Sequence, residues 1–218
     1  MEIPAAKEHK FVVFFYEAIG TGLLLYAINL QNGELFGNFG ISFMLFSLIL
    51  IGGPMTGAHY NPAVTVGVYI SNKNWSGQFL MFVIMIAGQI IGGLFGVLLV
   101  WVSLFNEDGQ VGVTRSRGGV PTTEILLLLP NEPNVSQFNC FIIEIITTFT
   151  FVLINLLVKN GKTSPSSDGF LSGLAVSFAL LAMICISGKK SGACLNPAVA
   201  IAQTVFEVTQ YGNQIPGD

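Results

Sequence analysis

Gly57-Ala-His-Tyr-Asn-Pro-Ala-Val64 and Gly192-Ala-Cys-Leu-Asn-Pro-Ala-Val199 are one octapeptide written twice, differing only at His59/Cys194 and Tyr60/Leu195. Asn is a favoured helix N-cap, and Pro suits the first helical position, where its missing N–H costs nothing. Each copy therefore predicts the start of a helix. Each start leads into a short apolar stretch, to Ile70 in one case and to near Val208 in the other, too short to cross a bilayer. The repeat is wider than the octapeptide. Glu17 with Thr21 one turn later, in the first apolar run, is matched by Glu144 with Thr148 in the fourth.

The rest of the chain sets the medium in which these elements sit. Of 218 residues, 52% are hydrophobic and 10% charged, and the mean hydropathy is +0.69, which excludes an ordinary water-soluble domain. The apolar residues come in unbroken runs, not in the short alternating segments of a membrane barrel. Five runs are long enough to be candidate spans: 11–30, 40–53, 79–105, 138–158 and 169–186. The second is cut short by Gly52, Gly53 and Pro54, punctuation that predicts a break near membrane depth. The first run contains Glu17 and lacks a cleavage signature, so it reads as a retained span. The predicted fold class is an all-α membrane protein, one domain over 1–218. A first repeat over about 11–105 and a second over about 138–208 are joined by a polar surface loop over about 106–137.

Three spans in the first half place the second copy upside down, as in an inverted repeat with its site near the bilayer midplane. Two helix starts would then aim their positive ends at one point, and irregular backbone at that depth is tolerated only around a watery lumen or buried in protein. Asn61, Pro62 and Ala63 with Asn196, Pro197 and Ala198 are the expected centre of a pore. The two amides offer donors to a passing oxygen, while the helix ends repel cations. A charge there faces a barrier of at least about 2.5 kcal/mol, the scale found for charges at the bilayer centre.

The paired Asn-Pro-Ala motifs, the two spanning glutamates and Gln89-Ile-Ile-Gly92 together resemble the aquaporin family, the major intrinsic proteins. The resemblance implies six spans and two re-entrant half-helices, passive conduction of water or small neutral solutes, no covalent chemistry and no cofactor. It also implies a homotetramer in the lipid bilayer, or a place in a larger membrane assembly. The implied amino terminus is cytosolic, with Lys7, Lys10, Lys73, Lys159 and Lys162 on that side and Arg115, Arg117, Lys189 and Lys190 on the other. Two departures stand out. Most members carry arginine directly after the second Asn-Pro-Ala, where this chain has Val199, and nothing like a sixth span follows Phe206. By the family's spacing the other walls of the outer constriction fall at Ile41, Leu180 or Ile184, and Ala193, none of them charged. A neck of that kind favours solutes such as glycerol, urea, ammonia or hydrogen peroxide, or else dewets and closes. A non-conducting structural subunit is the competing class.

The remaining residues carry lesser expectations. Glu17 and Glu144 are expected to hold loop backbone through hydrogen bonds, being costly in hydrocarbon without partners. His59 is expected to line the lumen passively, with gating by charging as the sharper alternative. Gly88, Gly92 and Gly96, like Gly169 and Gly173, are expected to permit close helix contact. Cys140, Cys185 and Cys194 lack metal or disulfide spacing and read as buried small residues, Lys189 and Lys190 as a solvated loop tip, and Asn134-Val-Ser136 as a chance glycosylation match. No nucleophile, base or metal constellation argues for an enzyme, and no basic run argues for nucleic acid.

Overall fold

The computed structural model describes residues 10–31, 35–104, 114–117, 120–123 and 135–211. The segments 118–119 and 130–133, the Asn134 acceptor, Lys7 and the tail 212–218 lie outside the described residues. Among the described residues five helices are long and apolar enough to cross a membrane: α1 (Lys10–Leu30), α2 (Leu35–Thr56), α4 (Trp75–Leu104), α5 (Gln137–Lys159) and α6 (Gly169–Ser191). Two shorter helices, α3 (Pro62–Asn72) and α7 (Pro197–Tyr211), begin at the two prolines of the repeat. Within the polar connection expected as a surface loop, β1 (Thr114–Arg117) and β2 (Val120–Thr123) pair antiparallel.

The architecture is that of an inverted repeat. In the first half α1 lies along α4 and against α2, and in the second α5 lies against α6. The two halves join where α2 meets α6, where α7 meets α4, and where α3 meets α5 and α7, while α3 also packs on α4 within its own half. Alpha-helical spans satisfy their own backbone, so side-chain shape decides which faces pair. At the α1–α4 seam that shape is absence. A Cβ on Gly92 would overlap the carbonyl of Ala18, one on Gly96 the carbonyl of Gly22, and one on Gly88 would come within 2.7 Å of the Phe14 carbonyl. The expectation for these three glycines is met. Gly173 approaches Ile49 as expected, whereas Gly169 faces open space and serves no contact.

Three further expectations need correction. The second span is not broken at Gly52-Gly53-Pro54, because α2 runs through Pro54 to Thr56. Proline there forfeits only the bond to the Leu50 carbonyl, and the ladder resumes with Gly57 N–H to Gly53 O at 3.0 Å. Lys189 and Lys190 sit on the last turn of α6, not on a loop tip, where cations complement the helix dipole. The cysteines are free, but none is buried: Cys185 is exposed, and Cys140 and Cys194 are half-buried. An apolar thiol on an outer helix face is compatible with lipid, so composition alone did not force it inside.

Candidate functional site

Each half-helix begins alike. Asn61 is the N-cap of α3 in extended conformation, its Oδ1 accepting from Ala63 N at 2.8 Å. Asn196 Oδ1 accepts from Ala198 N at 3.0 Å at the start of α7. The amide nitrogens reach across to the other half. Asn61 Nδ2 donates to the Leu195 carbonyl at 2.8 Å, and Asn196 Nδ2 donates to the Tyr60 carbonyl at 2.9 Å. These reciprocal bonds lock the two helix starts tip to tip. One N–H of each amide is thereby used, and the second makes no bond among the described residues.

The chain leading into each asparagine is held open by a carboxylate. Glu17 Oε1 accepts from Thr56 Oγ1 (2.8 Å) and His59 N (3.1 Å), and its Oε2 accepts from Tyr60 N and Gln89 Nε2, both at 2.7 Å. Glu144 does the same for the second copy, accepting from Ser191 Oγ, Cys194 N and Leu195 N. Thr56 Oγ1 and Ser191 Oγ in turn accept from Ala58 N and Ala193 N. Both glutamates bond to loop backbone, Glu17 fully buried and Glu144 half-buried.

This tethering requires an unusual backbone. Gly57 (φ 83°), Ala58 (49°) and Tyr60 (49°) in one copy, and Gly192 (92°), Ala193 (51°) and Leu195 (52°) in the other, lie in the left-handed region. For a non-glycine residue that costs on the order of 1 kcal/mol or more, a strain that surrounding bonds must hold in place. Its consequence is directional. In a trans peptide N–H and C=O point oppositely, so when the N–H groups of residues 58–60 and 193–195 turn toward the carboxylate side, the carbonyls of Gly57, Ala58, His59, Gly192, Ala193 and Cys194 turn away from it. The result is a short ladder of acceptors on either side of the amide pair.

His59 is buried, with Nδ1 3.1 Å from Thr65 Oγ1. That hydroxyl also bonds to the Asn61 carbonyl (3.1 Å) and to Gln89 Nε2 (2.9 Å), so the ring is tied into the same network as the loop. The neck residues separate. Ile41, Leu180 and Ala193 are buried in one cluster with Ile184 packed at its edge. Val199 is packed elsewhere, with Leu25, Val97, Val100 and Ala202 from α1, α4 and α7.

Sequence reading missed several participants. Thr56 and Ser191 stand directly before the matching Gly-Ala pairs, so extending the octapeptide by one residue would have found them. Tyr60 fills the space between Gly20 and Gly52 and donates to the Leu48 carbonyl at 3.0 Å. Gln203 Nε2 donates to Asn29 Oδ1 at 3.1 Å, tying α7 to α1, a pairing without any local signal.

A family model described as major intrinsic protein matches residues 10–215. The chain belongs to the major intrinsic protein family. Its members are passive membrane channels and not enzymes. Among its relatives, aquaporin Z of Photorhabdus laumondii is 26% identical over 171 residues, covering 78% of this chain and 68% of that protein. Aquaporin NIP1-2 of Arabidopsis thaliana is 28% identical over 191 residues, 83% of this chain, and the chain spans 60% of its length. The structure of the aquaglyceroporin from Plasmodium falciparum superposes with a TM-score of 0.73 at 20% identity, over 91% of this chain and 81% of that one, which shows a shared fold.

Proposed function

We propose that this major intrinsic protein conducts water and small uncharged solutes, with glycerol, urea, ammonia and hydrogen peroxide as the candidates, past Asn61 and Asn196. The reciprocal bonds between those amides and the facing carbonyls carry the reading, because they fix two donors at one point between two acceptor ladders. A neutral molecule with both donor and acceptor groups exchanges water for these partners at little cost. A cation meets two positive helix ends instead. Ile41, Leu180 and Ala193, with Ile184, form an apolar outer neck, and Val199 contributes by supplying no charge there. Such a neck admits carbon-bearing solutes as readily as water. We further propose a multi-pass protein with a cytosolic amino terminus, His59 as a passive wall, and a homotetramer in the bilayer.

Stopped-flow light scattering of proteoliposomes tests this reading. Permeability to water and glycerol above that of empty vesicles is expected, and Asn61→Asp with Asn196→Asp should depress both. Permeability equal to empty vesicles would leave a structural subunit as the surviving interpretation. An arginine at position 199 cannot remain unpaired among Leu25, Val97 and Val100, so its head is driven toward the lumen. Val199→Arg should therefore lower glycerol flux relative to water. An unchanged ratio would place the neck elsewhere.

A further inference from the structure

Lys159, the last residue of α5, donates from Nζ to the Gly57 carbonyl at 3.1 Å. Gly57 is the first rung of the acceptor ladder, directly after α2. The ammonium is half-buried and makes no ion pair among the described residues. The corresponding rung of the second half, the Gly192 carbonyl, receives no donor among the described residues, so the arrangement belongs to one mouth only. Meanwhile Ile41, Leu180 and Ala193, proposed above as the outer neck, lie in an apolar cluster without a charged side chain.

A row of bare carbonyls is attractive to cations, whose hydration shell it replaces. An ammonium seated on the first rung removes that acceptor and sets a positive charge beside the entrance, in surroundings where water screens it poorly. No carboxylate among the described residues pairs with it directly. His59 has its Nδ1 against Thr65 Oγ1 and is tied into the loop. Glu17 makes no ion pair with Lys159, and both its oxygens accept from the loop's donors. Lysine is suited to such a post because its charge is a compact point on a flexible stem.

We infer that Lys159 is a selectivity residue of this channel: its fixed charge at the mouth where α2 and α5 end excludes cations that the uncharged outer neck does not. The inference rests on the conducting role proposed above. The test uses proteoliposomes of the full chain, with glycerol flux by light scattering and potassium and proton flux by fluorescent dyes. Lys159→Met should raise cation leak at least about tenfold while glycerol flux stays within about twofold, and Lys159→Arg should remain tight. Charge is separated from folding by Lys159→Cys in a background with the native cysteines replaced. Aminoethylation of that thiol, which restores an ammonium, should abolish the leak, and capping with a neutral methylthio group should not. Glycerol flux with no rise in cation leak in Lys159→Met would overturn the assignment, as would loss of all flux in both Lys159→Met and Lys159→Arg. A wild type passing no neutral solute would instead defeat the conducting role itself, and this assignment with it.

Discussion

At the scale of single residues, Glu17 and Glu144 show how far the two copies are equivalent. Both hold two consecutive loop N–H groups and a hydroxyl, but Glu17 also receives Gln89. Replacing a carboxylate by its amide turns one acceptor oxygen into a donor facing donors. A buried donor left without a partner costs about 1–3 kcal/mol. Glu17→Gln is therefore expected to lower the unfolding temperature in detergent more than Glu144→Gln does. Equal losses would mean that the Gln89 bond adds nothing. The glutamates were legible from their repeat spacing. Lys159 was not, because nothing about a lysine closing an apolar run says that its head folds back onto a loop more than a hundred residues earlier in the chain.

At the scale of elements, the α1–α4 seam and the two half-helices make separate predictions. Gly92 abuts backbone that cannot yield, whereas Gly53 has open space around it. Gly92→Leu should abolish the folded protein recovered from membranes and Gly53→Ala should leave it near wild type, as read by fluorescence-detected gel filtration. A folded Gly92→Leu would show the seam to be looser than described. The half-helices can be tested by topology. If α3 enters and returns, Lys73→Cys at its C-cap and Lys162→Cys after α5 label from the same side of the membrane, and Lys189→Cys from the other. Labelling of position 73 from the side of 189 would make α3 a crossing element. Proline and glycine misled for α2, since a proline in a last turn removes a single bond and need not end a helix, and at Gly169, which opens α6 without a neighbour.

At the scale of the whole molecule, large apolar side chains such as Phe141, Phe149, Ile51 and Phe95 stand on the outer surface. In water such a surface would drive aggregation, and in a bilayer it meets lipid or another subunit. Native mass spectrometry from lipid-like detergent should find four copies together, whereas a lone chain under conditions that preserve flux would remove the tetramer. Hydrophobic run length determined the class of this protein from its residues alone, the duplicated octapeptide marked the two helix starts, and the three spans before the second copy gave the inverted relation of its halves. These are local properties, set by transfer free energy and by what Asn-Pro does to a chain. Only the tertiary structure decided that Asn61 and Asn196 grip each other's carbonyls, that Val199 packs with α1 and α4 and apart from Ile41, and that Lys159 closes on Gly57. Such pairings depend on the distances and angles between elements far apart in the chain, and no stretch of residues contains that information by itself.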